Sequence, residues 1–259
     1  MRRMLTLVAA AVATVAMAAS AFGITTLGEP DNGRHPEVGA LVGISATDGH
    51  LHAICTGTLV APRVFLTASH CVQALIDRGL PARVSFDEVL SDSATTYHGD
   101  GVLNPLYDPK QGVRHDVSAI VLDSAPAGIT PAEIPPRSNY LVSKQLGRFT
   151  LAGYGSNEKT QVKKQGGTFP RTDRRNLAVL GFDSLTKQYI HESMKRSHDE
   201  AGACYGDSGG PSFLGAGTGE TDIVVAVTST GDGPCYATNV ASRTDTVEAQ
   251  RFLRSLPGL

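Results

Sequence analysis

Short apolar segments separated by turn-forming residues recur along most of this 259-residue chain. They are rich in Val, Ile, Leu, Thr and Phe and are bounded by Gly, Pro, Asn, Asp or Ser, a pattern typical of β-strands. The segments are VGALVGIS at 38–45, TGTLVAPRVFLTA at 56–68, RVSF at 83–86, VSAIVLDS at 117–124, RFTLAGYG at 148–155, NLAVLGFD at 176–183 and DIVVAVTS at 222–229. The pattern predicts an all-β sandwich or barrel.

Helical periodicity is found only at the end of the chain. There Ala249, Phe252, Leu253 and Leu256 follow the i, i+3, i+4, i+7 spacing of one helix face. A proline-rich and weakly patterned stretch, SAPAGITPAEIPPRSNY at 124–140, is the best candidate for a linker between two halves. We therefore predict two β-rich halves, the second of which ends in a helix.

The first 23 residues differ in kind from the rest. Arg2 and Arg3 precede an uncharged apolar run from Met4 to Met17, and small residues follow. This arrangement predicts a secretory signal peptide over residues 1–23 rather than a membrane anchor. The whole chain is 41% hydrophobic and 19% charged, which is typical of a globular protein, and its net charge of −2 does not favour nucleic acid or an acidic membrane.

Export affects the interpretation of the four cysteines, because an oxidising compartment favours disulfides over free thiols. Cys55, Cys71, Cys204 and Cys235 allow three pairings, and separations of 16 and 31 residues favour Cys55 with Cys71 and Cys204 with Cys235. No pair has the short spacing of a structural zinc site. We expect two disulfides and no metal.

Candidate chemistry lies in three short motifs far apart in the chain. ACYGDSGGP at 203–211 places Ser208 in a glycine-rich turn, LTASHC places His70 directly before a cysteine, and RHDVSAIVL places Asp116 at the start of an apolar strand. Each has an ordinary interpretation, since these residues are common in turns and on surfaces. Together they provide a nucleophile, a base and an acid that could orient the base.

TASHC, HDVSAIVL and CYGDSGGP resemble the three catalytic motifs of the trypsin/chymotrypsin-like serine proteases, in the family's order of His, Asp and Ser. GTLVAPRVFLTASHC, NPLYDP and LAGYGS extend the resemblance over residues 24–259. The resemblance implies two packed six-stranded antiparallel β-barrels and a C-terminal α-helix. The first barrel, over 24–134, would carry His70 and Asp116, and the second, over 135–259, would carry Ser208.

The resemblance also implies the roles of the site residues. His70 would act as general base for Ser208, Asp116 would orient His70, and the backbone N–H groups of Gly206 and Ser208 would form the oxyanion hole. Asp207 would pair with a new α-amino group on Ile24. His115 is a poorer alternative base, because its position next to Asp116 points it to the other face of the strand.

Two departures from the family pattern concern activation and specificity. Residue 23 is Gly and no Lys or Arg precedes Ile24, so we expect cleavage after Gly23, or after Ala21 followed by trimming. Gly202 stands where the trypsin subgroup carries an Asp at the base of the substrate pocket. An uncharged pocket base predicts a preference for uncharged side chains, and the expected pocket residues are Gly202, Ala203, Ser229, Thr230 and Gly231.

Other features have ordinary interpretations. The basic stretch at 157–175 predicts a solvated loop rather than a partner site, and neither His50 with His52 nor the acids at 87, 88 and 92 match a strong metal pattern. We expect a monomeric, secreted, bacterial serine-type endopeptidase that acts on proteins or peptides without a cofactor. Two alternatives remain open, an inactive protease-like binding module and a secreted esterase. The esterase alternative is weaker because α/β-hydrolases have the order Ser, Asp, His.

Overall fold

The computed structural model describes Ile24, residues 28–156 and residues 171–259. The predicted signal peptide at 1–23 and most of the basic stretch, at 157–170, lie outside the described residues. Within the described residues, no helix is both long and apolar enough to span a membrane.

Six antiparallel strands form the first closed barrel, and one short strand precedes them. The preceding strand, β1 (Glu29–Pro30), pairs with the second barrel. The barrel strands are β2 (Val38–Ile44), β3 (Leu51–Ala61), β4 (Val64–Thr67), β5 (Ala82–Ser85), β6 (Tyr97–Val102) and β7 (Ser118–Leu122). They pair in the order β2-β3-β4-β7-β6-β5, and β5 closes onto β2. Helix α1 (Ser69–Arg78) connects β4 to β5.

Six more antiparallel strands form the second closed barrel. They are β8 (Arg148–Gly153), β9 (Asn176–Leu185), β10 (Tyr189–Ser193), β11 (Pro211–Leu214), β12 (Val224–Gly231) and β13 (Thr238–Arg243). Their order is β9-β10-β13-β12-β11-β8, closed by pairing of β8 with β9, and helix α2 (Val247–Leu253) follows β13. Single-turn 3-10 helices lie at Pro109–Gln111, Leu141–Ser143, Arg196–His198 and Gly217–Gly219. The predicted fold of two six-stranded barrels and a C-terminal helix is confirmed.

The two barrels share a hydrophobic core. Phe65 and Ile120 of the first barrel belong to the same buried cluster as Phe213 of the second barrel and Phe252 of α2. The N-cap of α2 is Thr246, whose side chain accepts a hydrogen bond from the backbone N–H of Ala249. The C-terminal helix therefore packs where the two barrels meet, which helps to hold the barrels together.

Helix α1 was not expected from the sequence. It buries only Ser69, Cys71, Val72 and Leu75, and so it lacks the wide apolar stripe by which helices are recognised. It ends at Gly79, whose φ of 61° is the left-handed conformation typical of a helix C-terminus. The prediction that helical structure is confined to the end of the chain was therefore wrong.

Candidate active site

His70 lies in the first turn of α1, directly after β4, and Asp116 holds it from two sides. The backbone N–H of His70 donates to Asp116 Oδ1 at 2.8 Å, and His70 Nδ1 lies 2.8 Å from Asp116 Oδ2. Asp116 is completely buried, whereas a third of the His70 side chain is exposed. Because a carboxylate only accepts, Nδ1 carries the ring proton, and Nε2 keeps a lone pair that can take a proton.

Asp116 is positioned by a network at the start of β7. The Ser69 hydroxyl donates to the carbonyl of His115 at 3.1 Å and lies 2.7 Å from the Ser118 hydroxyl. Ser118 also accepts from the backbone N–H of Asn104 at 2.9 Å. His115 has a φ of 54° and lines a separate small cavity, so the structure places it away from the Ser208 pocket.

Ser208 lies in the glycine-rich turn before β11, and this turn packs tightly against the first barrel. The carbonyl of Ser208 accepts from the backbone N–H of Thr56 at 2.8 Å and lies 3.7 Å from Sγ of Cys71, the residue after His70. Gly209 has a φ of 86°, and a Cβ there would overlap Thr67 Oγ1 and the Thr56 carbonyl. Only glycine fits this position, and its fit brings the turn beside the His70 segment.

The backbone of the turn leaves donors free for a ligand. Among the described residues, the N–H groups of Gly206 and Ser208 donate to no protein acceptor. Gly206 has a φ of 103°, a conformation that favours glycine. The described hydrogen bonds do not include one between Ser208 Oγ and the His70 ring. In free enzymes such catalytic bonds are often long and shorten when substrate binds.

Asp207 points in the opposite direction from its neighbour, into the protein. It is completely buried, and its carboxylate accepts from the N–H groups of Gly155 at 2.8 Å and Cys204 at 2.9 Å. Burial raises the pKa of Asp207 to about 7, although both hydrogen bonds oppose the shift. A Cβ at Gly153 or Gly155 would overlap the carboxylate, which explains the glycines of the LAGYGS segment.

Ile24 is completely buried against the second barrel. Its side chain belongs to a hydrophobic cluster that also contains Leu151, Ala178, Leu180, Met194, Ala201 and Ala203. Ala203 directly precedes Cys204, which donates to Asp207. Ile24 therefore shares a buried cluster with Ala203, four residues before Asp207.

A cavity of about 230 Å³ opens beside Ser208. It is lined by Ala203, Cys204, Tyr205, Ser208, Thr228, Ser229, Thr230, Gly231, Asp232, Cys235 and Asn239. Four of the five residues expected to line the pocket do line this cavity, namely Ala203, Ser229, Thr230 and Gly231. Gly202 instead packs against Met194, and a Cβ on Gly202 would overlap the Met194 sulfur. Sequence reasoning missed Tyr205, Thr228, Asp232 and Asn239 as lining residues. Thr228 and Asn239 carry no motif and reach the cavity through strand pairing.

Both expected disulfides are present, Cys55–Cys71 and Cys204–Cys235. The first joins β3 to α1 directly beside His70, and the second joins the serine turn to the loop after β12. His70 Nδ1 or Nε2 and the two sulfur atoms of Cys55 and Cys71 lie within 4.8 Å of one another. These sulfurs are bonded to each other, so they offer no thiolate to a metal.

The other histidines and acids considered in the sequence contact partners within the protein. His50 Nδ1 lies 2.7 Å from Asp92, and the two ring nitrogens of His52 lie 2.6 Å from Asp173 and 3.0 Å from Asp48. Burial lowers the pKa of His52, but its two carboxylate partners outweigh this effect and raise the pKa overall. These contacts anchor the β2–β3 hairpin. Asp87 accepts from the Thr95 N–H, and Glu88 lies near Arg174.

Three features together define a class of protein. They are the two barrels, the contact of Asp116 with His70, and the glycine-rich turn of Ser208 packed against the first barrel. The family model described as Trypsin matches residues 28–249, and the chain belongs to this family of trypsin/chymotrypsin-like serine proteases. Among individual proteins, the chain is similar to Granzyme M of Homo sapiens, with 28% identity over 179 residues. The matched region is 63% of this chain and 65% of Granzyme M. The comparisons give no support to the expected bacterial origin.

Proposed function

We propose that this chain is a serine endopeptidase that hydrolyses peptide bonds through an acyl-enzyme on Ser208. The observation that carries the proposal is the double contact of Asp116 with His70, which fixes the ring with Nε2 available, beside the tightly packed Ser208 turn. Family membership supports a protease in general, and this geometry supports the proposed roles of Ser208, His70 and Asp116.

In the proposed mechanism, Ser208 Oγ attacks the substrate carbonyl carbon while His70 Nε2 takes the hydroxyl proton. The negative charge that forms on the carbonyl oxygen is stabilised by the N–H groups of Gly206 and Ser208. His70 then gives its proton to the leaving amine, and the C–N bond breaks to leave an ester on Ser208. Water, deprotonated by His70, hydrolyses this ester and restores the serine. Asp116 stabilises the positive charge on His70 throughout.

The proposal includes a processing step. Removal of residues 1–23 as a signal peptide would export the chain and create an α-amino group on Ile24. A buried carboxylate is costly without a cationic partner, so this ammonium would stabilise ionised Asp207 and the turn that carries the oxyanion donors. The proposed mature enzyme is a secreted monomer, with its first barrel over 24–134 and its second over 135–259. N-terminal sequencing of the secreted protein tests this step, and a start far from residue 24 would contradict it.

The proposed substrates are proteins or peptides with an uncharged side chain on the amino side of the cleaved bond, the P1 residue. The lining of the cavity supports this preference. Among the described residues that line it, the one carboxylate is that of Asp232, which already accepts hydrogen bonds from the backbone N–H groups of Tyr236, Ala237 and Thr238.

The test is active-site labelling of secreted protein with a fluorophosphonate, together with turnover of peptide amides and esters. We expect covalent labelling and amide cleavage by the wild-type protein and neither by Ser208→Ala. Absence of labelling in the correctly processed wild-type protein would favour a binding module. Labelling with turnover of esters alone would favour an esterase.

A further inference from the structure

An acidic side chain with no role in the proposed mechanism lies behind the cavity beside Ser208. Glu192 is on β10, is completely buried, and its Oε2 accepts from Asn239 Nδ2 at 2.8 Å. Asn239 is on the neighbouring strand β13, where it pairs with Glu192 in register, and it lines the cavity. Glu192 is therefore one hydrogen bond away from the pocket.

The contacts of Asn239 fix which end of its amide faces the cavity. Its Nδ2 donates both to Glu192 Oε2 and, at 3.3 Å, to Thr228 Oγ1, so both amide protons are used. Among the described residues, its Oδ1 accepts no hydrogen bond. Thr228 also lines the cavity, and its oxygen accepts from Asn239. Among the described residues its hydroxyl donates to no acceptor, so the hydroxyl proton is available to a ligand. This part of the cavity, which we call the polar floor (Thr228 and Asn239), offers one acceptor and one donor.

The charge at the polar floor is small. In the described part of the chain no Lys, Arg or His forms an ion pair with Glu192, and burial raises the pKa of Glu192 to about 7 despite the hydrogen bond from Asn239. At the polar floor a P1 ammonium or guanidinium would lose its hydration and face the neutral oxygens of Thr228 and Asn239. The Asp232 carboxylate, elsewhere in the lining, already accepts hydrogen bonds from backbone N–H groups. An apolar P1 side chain would leave Asn239 Oδ1 without water or partner, which costs free energy.

We propose that the polar floor selects a P1 side chain with a primary amide, glutamine or asparagine, and that Glu192 acts as the positioning residue that holds Asn239 in its selective orientation. This inference rests on the proposed peptidase function and specifies its substrate class. The substrate amide N–H donates to Asn239 Oδ1, and the substrate amide oxygen accepts from the Thr228 hydroxyl. A primary amide is neutral and carries its donor and its acceptor on two separate atoms at one end, whereas a hydroxyl has a single oxygen for both.

The most direct test exchanges the acid at position 192 and the amide at position 239. In the double variant E192Q/N239D, the new amide on β10 can donate to the new carboxylate on β13, so the hydrogen bond and the packing volume are kept while a carboxylate moves to the cavity. The single variant E192Q keeps an acceptor for Asn239 Nδ2 and should retain the orientation. Asn32→Asp makes the same Asn-to-Asp substitution on an exposed loop after β1 and serves as the control for a new carboxylate away from the cavity.

The measurement is kcat/KM on a peptide series that differs only at P1, with Gln, Asn, Leu, Phe, Lys and Arg, using protein secreted from cells that express the full chain. We expect wild type, E192Q and N32D to cleave after Gln or Asn at least about tenfold better than after the other four residues. E192Q/N239D should instead cleave best after Lys or Arg. If the double variant does not fold, Asn239→Leu should move the preference to Leu.

The outcomes separate this inference from the proposed function. Wild-type protein that labels with the fluorophosphonate but prefers Leu, Phe, Lys or Arg overturns the amide selection. The amide selection is also overturned if E192Q/N239D, or Asn239→Leu in its place, ranks the P1 residues by kcat/KM in the same order as wild type. Protein that neither labels nor cleaves any peptide overturns the proposed function and this inference with it.

Discussion

Asp116 and Asp207 show how the surroundings of a single residue decide its role. Both carboxylates are completely buried, but Asp116 contacts a partly exposed histidine ring, whereas the hydrogen bonds that Asp207 accepts from described residues come from backbone N–H groups inside the protein. The sequence predicted both residues from their motifs. Glu192 is also a buried acid. The sequence could not have indicated its burial, because a charged residue in the short segment YIHES is expected to be exposed.

At the residue scale we predict that Glu192 makes stability fall as the pH rises. The unfolded chain releases this proton near the ordinary pKa of 4.5, while the folded chain keeps it up to about 7. Between these values the folded state binds more protons, so the free energy of unfolding decreases with increasing pH. The decrease from Glu192 is about 3 kcal/mol, at 1.4 kcal/mol per pKa unit.

The measurement is urea unfolding of wild type and Glu192→Gln from pH 4 to pH 8. The stability of wild type relative to the variant should decline across this range, since glutamine does not titrate. Parallel pH profiles for the two proteins would show that Glu192 is ionised at its ordinary pKa in the folded state.

At the scale of single elements, α1 depends on contacts outside its own sequence. Its narrow apolar face is supplemented by the disulfide from Cys71 to Cys55 of β3 and by the hydrogen bonds of His70 to Asp116. The strands, in contrast, carry their own signal, because β-branched and apolar residues alternate with turns at strand spacing. This is why the strand segments were predicted and the helix that carries His70 was not.

We predict that the double variant Cys55→Ala/Cys71→Ala loses about 3 kcal/mol of stability and also loses activity at temperatures where it remains folded. The stability loss follows from the 16-residue separation that the disulfide closes. The activity loss follows from greater freedom of the backbone next to His70. Calorimetry and peptide turnover provide the two measurements.

The matched control is Cys204→Ala/Cys235→Ala, which opens a 31-residue separation beside the cavity instead. It should lose a similar amount of stability but should change KM, or the P1 ranking, more than kcat. Equal effects of both variants on kcat would contradict a special role of the first disulfide in holding His70.

On the scale of the whole molecule, a buried ion pair joins the two barrels. Arg175 Nε donates to Asp31 Oδ2 at 2.9 Å, and Arg175 Nη1 donates to the carbonyls of Val38 and Phe86 and to the hydroxyl of Tyr154. Val38 and Phe86 belong to the first barrel or its connections, and Tyr154 follows β8 of the second. One side chain therefore ties the N-terminal segment and both barrels together.

We predict that Arg175→Met destabilises the protein by about 3–5 kcal/mol, because Asp31 is left as an uncompensated buried charge. The double variant Asp31→Asn/Arg175→Met removes that charge and should recover part of the loss. Arg34→Met breaks an exposed ion pair with Glu29 and should cost at most about 1 kcal/mol. Chemical unfolding of the three variants checks the order, and a loss for Arg175→Met no larger than that for Arg34→Met would contradict it.

The sequence by itself determined the all-β fold and the protease family, and it indicated His70, Asp116, Asp207 and Ser208 as candidate site residues, because each of these depends on short contiguous patterns. The tertiary structure alone determines which residues meet at the inner end of the cavity. Glu192, Thr228 and Asn239 come from three strands, β10, β12 and β13, and they meet only because these strands pair in one register. Registers and strand order arise from contacts between segments far apart in the chain, which local patterns do not encode. Tertiary structure also placed Gly202 against Met194 and not at the cavity, where its position in the sequence had suggested it would be.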